Sequence, residues 1–117
     1  MQTQQAAKIS SELLKQLIHR EFPNVTKIIT TKLELVISDS EAGKRRISAA
    51  ILKLANRNVN QLDSLIEKAN YDFRDIVSAA EYPKNSKHGF DERTEEQEES
   101  ELKADSVNYM DWLSKTE

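Results

Sequence analysis

Between residue 6 and about residue 80, apolar side chains recur at helical spacing. Ala6, Ile9, Leu13 and Leu17 fall on one stripe, widened by Leu14 and Ile18. Thr3 is placed to cap the start. Pro23 ends the segment, because the residue before a proline is pushed out of the α region. The next stretch, 25–37, carries two signals. Val-Thr-Lys-Ile-Ile-Thr-Thr is rich in β-branched residues, and Leu33, Leu35 and Ile37 alternate. Val25, Ile28, Ile29, Leu33, Val36 and Ile37 nevertheless follow helical spacing through the whole stretch, whereas the alternation covers only its end. With Asn24 as N-cap behind Pro23, a helix is favoured over a lone strand, which would find no partner strand elsewhere.

Ser38 and Glu41 stand at capping-box spacing before a third helix. Its buried stripe is Ile47, Ala50, Ile51 and Leu54, and Asn58 is its left-handed terminator. A fourth helix opens at Asn60 with Leu62, Leu65, Ile66 and Ala69 inside. A fifth opens at Asp72 with Phe73, Ile76, Val77 and Ala80 inside, and stops before Pro83. Helices this short are held by packing. The predicted core is Leu13, Leu17, Ile28, Ile29, Leu33, Ile47, Ile51, Leu54, Leu62, Leu65, Ile66, Phe73, Ile76 and Val77. The pattern predicts an all-α fold, a small orthogonal bundle of about five short helices within a domain spanning residues 1–83.

Beyond residue 83 the periodicity fails. Residues 84–90 read as a polar connector, and 91–101 (DERTEEQEESE) form a charge run without an apolar face. Such a run buries too little to offset the entropy of ordering. Residues 84–104 are therefore expected to be a flexible acidic connector. An amphipathic pattern returns over 105–117, with Val107, Met110 and Leu113 three apart and Tyr109 and Trp112 beside them.

Charge sharpens this division. Residues 1–90 hold 14 Lys and Arg against 10 Asp and Glu, whereas 91–117 hold 3 against 10. A net +4 body is thus joined to a net −7 tail, two parts that attract each other and that salt would screen. The absence of cysteine excludes disulfide scaffolding and thiol catalysis and favours a cytoplasmic setting. The first residues lack the basic start and apolar run of a signal peptide. No stretch approaches the ~20 apolar residues of a membrane span. With only two glycines, a Gly-rich phosphate loop is excluded.

Two groups are candidates for binding. Tyr109, Met110, Trp112 and Leu113 include the only tryptophan and have the composition of an interface core. Behind an acidic linker they suit helix-in-groove recognition of a protein partner, or they fold back over the protein's own core. Lys44, Arg45 and Arg46 oppose the dipole at the start of the third helix. They point either to an anion-binding site for phosphate, nucleic acid or the acidic tail, or to a solvated face whose Arg stems cover apolar surface. Helices three and four have helix-turn-helix proportions, but the second offers Asn60, Gln61 and Ser64 with few cations for phosphate contacts. His19 and His88 have no metal-ligand spacing around them, Asp72 and Asp75 read as a helix start, and no nucleophile-base set is present. No enzyme activity, metal or cofactor is expected.

The segment 44–81, KRRISAAILKLANRNVNQLDSLIEKANYDFRDIVSAAE, resembles short uncharacterised bacterial proteins. That resemblance implies a bacterial, cytoplasmic, all-helical protein and brings no assigned activity and no functional residue. The expected function is a non-catalytic protein-interaction module, binding a protein partner or a second copy of itself, with no membrane association. The alternative is a nucleic-acid or anion-binding regulator, using Lys44, Arg45 and Arg46 with an acidic autoinhibitory tail.

Overall fold

A computed structural model of the chain describes residues 8–83 and 94–115. Among these residues the fold is all-helical, with six helices and no strand. They are α1 (Ser11–Glu21), α2 (Thr26–Leu33), α3 (Glu41–Ala55), α4 (Val59–Tyr71), α5 (Phe73–Glu81) and α6 (Glu95–Ser114).

The centre is α3. Ala49, Ala50, Ile51 and Leu52 are all fully buried, so the helix is covered on every side rather than along one stripe. It packs on α1, α4 and α5, and its alanines allow their backbones to come close. Leu17, Ile29, Ile47, Leu62, Ile66, Ile76 and Val77 complete the centre. Of the expected core, Leu13, Leu54 and Leu65 are only partly buried. Ile28 and Phe73 are exposed, at 53% and 47%. Ile28 lies off the narrow face on which Ile29 and Leu33 meet the core. Phe73 opens α5 just past its Asp72 cap and turns outward. Ile9, Ile18, Phe22, Val36 and Leu52 join the core in their place.

Several helix ends shift from the expected residues. The described part of α1 is capped by Ser10, whose hydroxyl accepts from the Leu13 N–H. Thr3 and Ala6 lie outside the described residues. Val25, not Asn24, precedes α2 and supplies no side-chain cap. Pro23 and Asn24 instead form the middle of a turn closed by the Val25 N–H on the Phe22 carbonyl. The β-prone stretch is helical over Thr26–Leu33, where Thr30 and Thr31 hydroxyls donate to the Thr26 and Lys27 carbonyls four residues back. The helix ends there rather than reaching Ile37. Past it the alternation takes over, with Val36 buried and Leu35 and Ile37 outside.

The α3 cap is Ser40, bonded by the Gly43 N–H, two residues beyond the predicted Ser38. A Cβ on Gly43 would sit 2.5 Å from the Ser38 hydroxyl, which would have to turn aside. Asn56 and Arg57 take the left-handed turn after α3, while Asn58 is extended and caps α4. The turn comes directly after Ala55, the last buried residue of α3.

The largest departure is in the charge run. Of the connector expected over 84–104, residues 84–93 lie outside the described residues, and 95–104 are the first half of α6. Thr94 and Gln97 form a reciprocal capping box, and Glu95, Glu96 and Glu98 complement the helix dipole in the first turn.

Candidate functional site

The C-terminal half of α6 lies against the body through Asp105, Tyr109 and Leu113, four residues apart, with Trp112 partly buried beside them. Tyr109 and Leu113 are 3% and 6% exposed. Three of the four residues singled out as a partner-binding cluster are thus turned onto the protein itself. The fourth, Met110, faces outward with Val107, each 53% exposed.

Arg20 of α1 holds the end of this helix. Its Nη1 donates to the Trp112 and Lys115 carbonyls at 2.6 and 2.9 Å, supplying a C-terminal cap, and its Nε donates to Glu21 at 3.0 Å. The guanidinium carbon lies 4.7 Å from the Trp112 ring centroid, within cation-π range. Tyr109 stacks on Trp112 with centroids 5.8 Å apart.

Beneath Tyr109 the body is polar. Arg46 makes a bidentate pair with Glu81, both contacts at 2.9 Å, and Glu81 is 3% exposed. The hydrogen bond to Glu81 raises the Arg46 guanidinium further above its ordinary value. Lys53 donates to the Ala80 carbonyl at 2.6 Å and lies 5.3 Å from the Tyr109 ring centroid. Burial holds the Lys53 ammonium below the usual lysine value, opposed by the charges of Asp105 and Glu81. Asp105 itself is wholly buried. Burial, reinforced by Glu81 and opposed by Arg46, pushes the Tyr109 phenol well above the usual tyrosine range. Among the described residues, two buried side-chain polar atoms lack a hydrogen-bond partner, Arg20 Nη2 and the Tyr109 hydroxyl. Both belong to this seam.

The proposed cationic triplet does not converge. Lys44 donates to the Glu34 carbonyl at 3.0 Å, Arg45 to the Ile9 carbonyl at 2.7 Å, and Arg46 to Glu81. Each cation fastens a different segment to α3. Lys44 and Arg45 do border a small cleft floored by Leu14, Ile18 and Leu33, but Glu34 and Glu41 share its rim. The exposed side of α4 presents Asn60, Gln61, Asp63, Ser64 and Glu67 with a single cation, Lys68, and Lys32 pairs with Asp63 at 2.8 Å. That face carries too little positive charge for a duplex.

A second feature went unremarked as a site. Leu35, Ile37 and Tyr71 are 64%, 70% and 94% exposed, beside the outward Phe73. Ile37, Tyr71 and Phe73 line one shallow depression at the junction of α4 and α5. Asn70 fastens the two segments together, accepting from the Ile37 N–H at 2.9 Å and donating to the Leu35 carbonyl at 3.0 Å. The alternation of Leu35 and Ile37 is the sequence signal that could have found it.

His19 is exposed on α1, and His88 lies outside the described residues. Among the described residues no group of three His, Cys, Asp or Glu side chains is placed to hold a metal ion. No helix there is long and apolar enough to cross a membrane. Comparison with known protein families, curated proteins and solved structures finds no match to this chain.

Proposed function

We propose that this chain is a non-catalytic protein-interaction module, a small orthogonal bundle with an acidic C-terminal extension, working in a bacterial cytoplasm. The observation that carries this reading is the cluster of Leu35, Ile37, Tyr71 and Phe73. Ile37, Tyr71 and Phe73, exposed around one depression, with Leu35 exposed two residues before Ile37, cost hydration that a solvated surface normally avoids, and such patches mark association sites. Asn70 holds them in a fixed arrangement, which lowers the ordering cost of binding. The partner is a second copy of the chain, whose matching cluster offers the same aromatic and aliphatic surface across a two-fold axis. The alternative regulator has no observation of its own in its favour, since Lys44, Arg45 and Arg46 each donate within the chain.

The test is sedimentation velocity on the full chain over a concentration series, at low and at high salt. A dimer that grows with concentration and persists at high salt is expected, because apolar contacts are not screened. The double substitution Ile37→Ser and Tyr71→Ser should return it to monomer with the thermal stability of dilute, monomeric wild type, as both side chains are exposed in the single chain. A monomer at all concentrations up to about 1 mM overturns the reading.

A further inference from the structure

We propose that the groove formed by α1, α3 and α5 is a receptor for an acidic amphipathic helix of a partner protein, with α6 as its resident, displaceable occupant. This surface is separate from the Tyr71 cluster, so either assignment can fail alone.

The fit of α6 to the groove is partial. Only Asp105, Tyr109 and Leu113 of its 20 residues are buried, and 95–100 are exposed throughout. The body's side of the seam presents Arg20, Arg46 and Lys53, with Arg57 3.5 Å from Glu21, against the two carboxylates Glu21 and Glu81. That surplus of cations selects an occupant bringing a buried carboxylate, the part Asp105 plays. Of the two buried atoms without a partner, Arg20 Nη2 belongs to the groove and is what the resident helix leaves unmet, whereas the Tyr109 hydroxyl is the helix's own. Buried polar groups are nearly always satisfied, and leaving one unpaired costs free energy that a better ligand recovers. Arg20 spends Nη1 on backbone carbonyls of the last turn, whereas a carboxylate there would engage the guanidinium as a fork. The cleft beyond the helix end is lined by Lys15, His19, Arg20 and Lys115 against one acid, Glu12. A partner helix therefore carries an acid where α6 has Asp105, an apolar or aromatic residue four and eight positions later, and a second acid in its final turn.

The probe is a fluorescent peptide with the sequence of residues 94–117 and the change Lys115→Glu, titrated by anisotropy into the full chain. Wild-type protein should bind it weakly, since the resident helix competes. Full-length Trp112→Ala, whose own helix is loosened, should bind it at least about tenfold more tightly, because the competent groove is populated more often. Adding the peptide to wild-type protein should speed amide exchange over 105–113. The same peptide carrying Asp105→Ala and Tyr109→Ala should bind neither protein. Equal affinity for both chains overturns the proposal. So does absence of binding to Trp112→Ala at about 100 μM while its circular dichroism shows a folded body. Should Trp112→Ala not fold, full-length Leu113→Ala serves as the loosened chain and is read by the same two criteria. A peptide retaining Lys115 that binds as tightly as the Lys115→Glu form overturns the requirement for the second acid.

Discussion

The two longest helices are held by different physics. In α3, with 15 residues, seven are buried: Ile47, Ser48, Ala49, Ala50, Ile51, Leu52 and Ala55. In α6, with 20 residues, three are buried and one of those is an aspartate. Length does not decide which helix defines the fold. What decides it is how much apolar surface leaves water, at about 25 cal/mol per Å². On that measure α3 is the spine of the body. The longer α6 is a docked element fixed by two large side chains, a charge and an arginine clamp, and both buried atoms without a partner, Arg20 Nη2 and its own Tyr109 hydroxyl, lie at its seam.

The contrast breaks most visibly if a residue of α3 can be removed cheaply. Ile51 is fully buried, and Ile51→Ala should cost about 2–5 kcal/mol through lost transfer energy and the cavity left behind. The expected result in chemical denaturation is a lower midpoint in which the whole chain, α6 included, unfolds together. A loss confined to α6 would reverse the roles assigned to the two helices.

A middle-sized effect is expected from Asp105→Ala. It leaves the partly buried Lys53 ammonium without one of the charges that oppose its desolvation. The ammonium is partly exposed and keeps its bond to Ala80, so solvent screens part of the loss and the cost should be about 1 kcal/mol. Its signature is local: amide protection over 105–113 falls while that of α3 and α4 stays. Equal loss of protection in both regions would make α6 part of the body's single cooperative unit.

Much of the body was legible because its helices obey a 3.6-residue period and its interior is apolar. Ile47, Ile51, Leu62, Ile66 and Ile76 lie where the pattern put them. The caps were harder, since several hydroxyl or amide residues stand near each helix start and the choice among Ser38, Ser40, Asn56 and Asn58 depends on where burial begins and ends. Ala49 and Leu52 show a different limit. A stripe predicts one buried face, but α3 is covered all round by neighbours that only the tertiary arrangement supplies. The helix in the charge run escaped the pattern for a local reason: Thr94-Glu-Glu-Gln97 is a capping-box sequence opening a glutamate-rich helix, yet periodicity looks only for apolar positions. The seam was half legible. Tyr109, Trp112 and Leu113 stood out by type, but their cationic counterparts Arg20, Arg46 and Lys53 come from distant turns, and no spacing announces them. At the α4–α5 junction, the alternation of Leu35 and Ile37 yields to the helical reading of 25–37 in the sequence, whereas in the structure it marks an outward-facing apolar edge past the end of α2.

The smallest effect separates packing from hydrogen bonding within the seam. The Tyr109 hydroxyl is buried without a partner, so Tyr109→Phe removes an unmet polar group and keeps the ring that stacks on Trp112. Thermal unfolding should show the variant as stable as wild type or more so, by up to about 1 kcal/mol. The pH dependence supplies the sign. The phenol is held above its ordinary value of 10.0 when docked, so its contribution is complete below that value. Stability is lost as pH rises past it, because the undocked state releases the proton first. Lys53 works the other way. Its ammonium is held below 10.5, so the cost of burying it shrinks as pH rises toward that value. In wild-type protein these opposing slopes overlap near pH 10, and Trp112 fluorescence should report release of α6 beyond it. In Tyr109→Phe the falling limb should weaken and the rising one persist. If the variant instead loses α6 at neutral pH, the hydroxyl is paired in solution, and the groove is better satisfied by its own helix than by any partner's.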